Sequence, residues 1–87
     1  MITYEKACEL ALQHYRETLG IDGIYSPYDI GDAWVFNGGR ESERRVGIQK
    51  VSVSKESGEI SAFNLPSAKN FALLDAGTAL ELPEQYR

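Results

Sequence analysis

Apolar residues recur at spacings of three and four over the first nineteen positions and at spacings of two further on, so the chain opens as a helix and continues as strands. Tyr4, Cys8, Ala11, Leu12, Tyr15 and Leu19 make one stripe, while Glu5, Glu9, Gln13, Arg16 and Glu17 take the other sides. Thr3 stands where an N-cap is needed, and Glu5 sets negative charge at the positive end of the helix dipole. Gly20 follows the last stripe residue and suits a left-handed C-cap. The pattern predicts an amphipathic helix built to lie on something.

The sharpest strand signal lies between Val51 and Phe63. Val51 and Val53 alternate with Ser52 and Ser54, Lys55-Glu56-Ser57-Gly58 interrupts, and Glu59-Ile60-Ser61-Ala62-Phe63 runs extended again. This reads as a β-hairpin in which Gly58 supplies the positive φ of the loop. Asp32-Ala33-Trp34-Val35-Phe36 is apolar on both parities, which predicts a central strand covered on both faces, closed by Gly38-Gly39. Within Ile21–Gly31, Pro27 removes a ladder donor and confines the segment to a sheet edge or a bulge. Val46 and Ile48 share one parity and Val51 and Val53 the other, so a one-residue bulge is expected at Gln49-Lys50. A second, short helix starts after Pro66 with Ser67 as N-cap. Phe71 and Leu74, with Leu73 as a third candidate, form its buried side, and Gly77 ends it. Residues 78–83 alternate weakly, as a terminal strand or an extended surface segment.

Helix, three or four strands and a short helix pack most economically as one α+β domain over residues 1–87. The expected form is a two-layer sandwich with the first helix on an antiparallel meander and the second over an edge or an end of the sheet. An apolar fraction of 43% supports a real core, and the single cysteine leaves no intramolecular disulfide to help hold it. If Ala33 and Val35 face away from the first helix and stay uncovered, the chain would be a weak homodimer through that face; otherwise it is a monomer. No apolar run approaches the ~18 residues of a membrane span, and the N-terminus lacks the order of a signal peptide; a cytoplasmic protein without membrane contact is expected.

Net charge is −4, which weighs against nucleic-acid binding. Four acids and no Lys or Arg lie between Glu17 and Gly39: Glu17, Asp22, Asp29 and Asp32. Such a front half steers a basic partner, or simply keeps the surface soluble. Candidate chemistry is sparse. The one histidine, His14, sits beside the helix stripe with Cys8 on the far side, so no Cys-His pair forms within the helix. No catalytic residues, metal ligands or cofactor motif stand out: Cys and His together number two, and Gly38-Gly39-Arg40 lacks the spacing of a phosphate loop. The aromatics read as core, except Tyr28, which lies between a proline and an aspartate and is the one placed to meet a partner.

The opening Met1-Ile2-Thr3-Tyr4 before the helix, the aromatic strand Trp34-Val35-Phe36, and a Val-rich strand running into Lys55-Glu56-Ser57-Gly58-Glu59-Ile60 resemble, in that order, the bacterial YrhB-like domain grouped with the immunity protein 35 family of polymorphic-toxin systems. The match in detail is about ten residues, within an order of elements that covers most of the chain; the segment after Asn64 departs from the pattern. The resemblance implies a small cytosolic protein that neutralises a cognate toxin by direct binding, without catalysis and without a cofactor. A basic toxin domain is the partner that suits the acidic surface, and Asp22, Tyr28, Asp29 and Asp32 with Glu41 and Glu43 are the expected contacts. The alternative is a generic interaction or chaperone-like module, which requires an exposed apolar area on the sheet face opposite the first helix.

Overall fold

The computed structural model describes residues 1–40, 42, 48–65 and 67–86. Its elements run α1 (Tyr4–Leu19), β1 (Ile24–Asp29), β2 (Ala33–Gly38), β3 (Lys50–Ser54), β4 (Ile60–Phe63), α2 (Ala68–Ala76) and β5 (Thr78–Ala79), with a 3-10 turn at Glu84–Tyr86. The strands form one five-stranded sheet in the order β4-β3-β2-β1-β5, antiparallel throughout. The α+β architecture is the one expected, with β5 bringing the strand count to five.

Local chemistry sets the ends of α1. The Thr3 hydroxyl accepts the Lys6 N–H at 3.1 Å. Gly20 adopts φ 66° and returns its N–H to the last-turn carbonyls. The buried stripe differs from the expected one at its margins: Ala7 is fully buried, whereas Leu19 is 53% exposed. The buried line is centred on Ala7, Cys8, Ala11 and Tyr15, and small residues there let the helix sit close to the sheet. Leu12 and Leu19 lie together on one flank of that line, so neither reaches the centre.

Under α1, Trp34 and Phe36 stand opposite Val53 and Val51 in register, and the four join Cys8, Tyr15 and Ile24 in a single core. Burying each such side chain contributes roughly 1.5–3 kcal/mol relative to leaving it exposed. Tyr4 extends the aromatic cluster, its ring centroid 5.9 Å from that of Trp34 and 6.4 Å from that of Phe36. The Tyr15 ring lies on Gly38 so closely that a Cβ there would stand 2.5 Å from two ring carbons. Its hydroxyl donates to the Gln49 carbonyl at 2.6 Å. Gly38 is thus the seat of a helix side chain as well as the end of its strand.

The hairpin falls where the alternation put it. Gly58 has φ 76°, and its N–H closes the loop on the Ser54 carbonyl at 2.8 Å. Upstream, β3 begins at Lys50, and Ile48 packs half-buried against the core without belonging to the strand. Val46, the other half of the expected bulge, lies outside the described residues. The bulge in the described sheet is in β1: Ser26 and Pro27 oppose Phe36 alone between the pairs Tyr25↔Asn37 and Tyr28↔Val35.

The second helix does more than cap an edge. It leaves β4, tied by the Asn70 side chain to the Asn64 carbonyl at 2.7 Å. It finishes at Gly77, packed so tightly on the end of β1 that a Cβ would stand 2.8 Å from the Asp29 carbonyl. It therefore runs obliquely over the face opposite α1. Ser67 caps it as expected, but its expected buried side is absent: none of its residues is buried, and Phe71 is 49% exposed. A helix held off the sheet by clefts on both sides covers the layer without sinking a stripe into it. Val35 and Ala33 on this face are nonetheless buried, at 1% and 9% exposed, within a single chain. Val35 and Ala33 thus leave no uncovered patch for a second chain to close, while Phe71 of α2 is an exposed large apolar residue on this side.

Candidate docking groove

Pro27 governs the site. Its carbonyl accepts the Leu80 N–H at 2.9 Å, but proline has no N–H to offer in return, so the ladder from β5 to β1 stops after Tyr28↔Ala79 and Asp29↔Thr78. The donor lost at Pro27 is the one facing β5; the expectation of an edge or a bulge is met by both. Beside it Ser26 sits at φ 47°, the one described non-glycine residue with positive φ. Buried Asn37 supports that turn of the backbone, its amide lying 3.3 Å from the Tyr25 carbonyl and 3.4 Å from that of Ser26. The Asn37 oxygen in turn accepts from Lys50.

Past Leu80 the tail swings toward α1, where the Tyr4 hydroxyl donates to the Glu81 carbonyl at 2.9 Å. A groove of about 640 Å³ opens between this tail and β1, walled by Tyr25, Pro27 and Tyr28 on one side and Leu80, Leu82 and Tyr86 on the other, with Arg40 at its rim. It has twice the volume of either cleft beside α2, each about 320 Å³.

The residues expected to contact a partner do not form one patch. Asp22 follows α1 at one end of β1 and pairs with Arg16. Asp29 and Asp32 lie at the other end, so the length of the strand, roughly 17–20 Å, separates the two groups. Asp29 is held within the fold: both its oxygens accept from Lys55 Nζ at 2.8 Å, and the Gly31 N–H adds a bond at 2.9 Å. The Lys55 bonds, helped by that of Gly31, hold the Asp29 carboxyl below its usual range. Lys55 also lies 5.2 Å from the Trp34 ring centroid, a cation–π contact that fixes the hairpin loop to the core edge. Asp32 is exposed beside one of the clefts under α2. Glu41 and Glu43 lie outside the described residues. Of the expected contacts that are described, Tyr28 alone lines the groove.

Arg40, Leu80, Leu82 and Tyr86 line the groove without having been among the expected contacts. Arg40 ends the base-free stretch that begins at Glu17, and an aromatic residue in a polar tail marks Tyr86; both signals become informative only once β5 places the tail beside β1. Elsewhere, burial pushes the Cys8 thiol up to about 11, far from the range of a reactive thiolate. His14 is half-buried with its ring edge-on to Tyr15, 5.6 Å between centroids. Among the described residues no group of three His, Cys, Asp or Glu stands close enough to hold a metal ion, and no helix is long and apolar enough to cross a membrane.

Compared with family models, curated proteins and solved structures, the chain matches none.

Proposed function

We propose that this chain is an immunity-type binding domain that neutralises a cognate toxin by docking onto it. The observation that supports this reading is the groove along β1: tyrosines, leucines and an arginine are the residue types that concentrate binding energy at protein interfaces when they line a concave, partly dry surface. The net charge of −4 adds long-range attraction for a basic partner. The resemblance of the opening, the aromatic strand and the hairpin to the immunity protein 35 family directs the choice of partner. Calorimetric titration of the purified chain against the toxin-like product of the neighbouring gene, with growth rescue in cells expressing that product, tests it. Saturable one-to-one binding that weakens with salt, together with rescue, is the expected result. A flat titration, or a neighbourhood without any toxin-like gene, overturns it.

A further inference from the structure

We propose that β4, the free edge of the sheet, is a self-pairing interface: two copies of this chain join β4 to β4 about a twofold axis through Ser61. The groove lies across the sheet, beside β1 and β5, so this surface stands or falls apart from the immunity reading.

Register decides which backbone groups are available. Ser54 donates its N–H to the Glu59 carbonyl at 2.9 Å, and the ladder continues Val53↔Ile60, Ser52↔Ser61 and Val51↔Ala62. Hydrogen-bonded and open pairs alternate along an antiparallel ladder, so Ser61 bonds to β3 while the N–H and C=O of Ile60 and Ala62 point outward. Among the described residues these outward groups have no hydrogen-bond partner. Ser61 and Ala62 are exposed, and α2 runs from the end of β4 toward β1, away from this edge. Proteins keep sheet edges apart with prolines, lysines, bulges or very short strands. The opposite edge has such guards, since β5 is two residues long and Pro27 stops its ladder. The free edge reads Ile60-Ser61-Ala62-Phe63 in unbroken register, without proline, lysine or bulge.

A second copy is the occupant because this edge is complementary to itself. Rotation about Ser61 sets Ile60 opposite Ala62 of the second copy, so the outward groups of the two strands meet donor to acceptor. The larger side chain of that pair faces the smaller one. Both lie on the face of buried Val51 and Val53, so the apolar row continues across the seam. At the axis Ser61 meets Ser61 of the second copy, where the hydroxyls hydrogen-bond across the strands. Glu59 then falls opposite Phe63 of the second copy. Phe63 and Lys69 line one cleft, so the Glu59 carboxylate arrives beside an ammonium, and symmetry repeats the contact. Among the described residues neither Glu59 nor Lys69 has an ion-pair partner within its own chain. A strand of four residues buries little surface, so the dimer is weak and forms with concentration.

Sedimentation velocity of the full chain from micromolar to millimolar concentration, paired with amide NMR, tests this. The average mass of the wild type rises toward that of a dimer, with concentration-dependent shifts centred on Ile60, Ser61 and Ala62. Ala62→Pro removes an outward donor that the ladder to β3 does not use; the variant keeps its thermal transition and stays monomeric. Ser61→Lys and Ser61→Glu each set like charges together at the axis and are monomeric alone. Mixed, they bind one another about tenfold more tightly than either binds itself. This charged pair decides the matter if Ala62→Pro fails to fold. A wild type that is monomeric at millimolar concentration, a folded Ala62→Pro that still dimerises, or a mixture without preference overturns β4 pairing. Shifts confined to the groove or to the surroundings of Phe71 overturn it too.

Discussion

Replacing Gly38 by alanine tests the closest contact between the helix and the sheet. The φ of Gly38 is not among the positive ones, so its conformation is open to any residue. In an unobstructed strand the change would stabilise by about 0.4–1 kcal/mol, because alanine restricts the unfolded chain more than glycine does. Here the new methyl would stand 2.5 Å from two ring carbons of Tyr15 and 2.9 Å from a third. The ring cannot move aside freely: Tyr15 is 1% exposed, and its hydroxyl is anchored on the Gln49 carbonyl at 2.6 Å. Overpacking of this kind costs about 1–3 kcal/mol, and a ring displaced far enough to release its hydroxyl adds about 1 kcal/mol. The net is a loss of about 2 kcal/mol, which for a domain of this size lowers Tm by roughly 8–16 °C. Urea and thermal unfolding, followed by circular dichroism, measure it. Tyr15→Phe, which keeps the ring and loses the hydrogen bond, is expected to cost about 1 kcal/mol. In a Tyr15→Leu background the penalty of Gly38→Ala shrinks, since the obstructing ring is gone. A neutral or stabilising Gly38→Ala, or an unchanged penalty in the Tyr15→Leu background, refutes the packing account.

The salt bridge from Lys55 predicts a pH signature: Asp29 is held below its usual 3.8, so its stabilisation is complete above that value and fades as acid protonates it further down. Asp29→Asn should therefore cost about 0.5–1 kcal/mol near neutrality, less in high salt, and flatten the acid limb of the stability profile; identical acid limbs for variant and wild type count against it. Cys8 is fully buried, so an aromatic disulfide reagent should label it only at the rate of global opening, and prompt stoichiometric labelling of the native protein would show an open path to the core. Ser26→Gly relieves the positive φ of 47° and should raise stability by about 0.5–1 kcal/mol in urea titrations; a loss of similar size means that the Ser26 side chain itself holds the bulge.

Much of the fold was legible because local chemistry and global packing agree. Thr3, Gly20, Gly58 and Ser67 each mark a boundary by a mechanism confined to a few neighbouring residues, and each acts where the sequence places it. Trp34, Phe36, Val51 and Val53 announce their shared face by parity alone. The miscast features depend on distant partners. Leu19 has a stripe residue's spacing but lies beyond the helix segment that meets the sheet. Phe71 and Leu74 have the spacing of a buried helix face, yet α2 is anchored at both ends, on Asn64 and on the end of β1, and lies clear of the sheet between them. The role of Gly38 is visible only once Tyr15 is placed above it. The site was least legible, since its walls come from β1 and from a tail nearly sixty residues later, joined by a two-residue strand.

The mismatch between the acidic stretch and the groove follows from how charge behaves at two ranges. Summed over the chain, the excess of acids sets a field of one sign, and that sum survives whatever pairs form inside the fold. At contact distance the pairs decide. Arg16 neutralises Asp22 and Lys55 neutralises Asp29, so these two of the sequence's candidate contacts offer little to a partner. Arg40, a cation in an acidic protein, lines the groove, and among the described residues no carboxylate is paired with it. On the binding reading proposed above, the field of the whole attracts a basic partner, and Arg40 at the groove favours an acidic group at contact. The two requirements are compatible because field and contact act over different lengths: the net charge is felt out to about the 8 Å screening length at physiological salt. Within hydrogen-bonding distance only the local group matters.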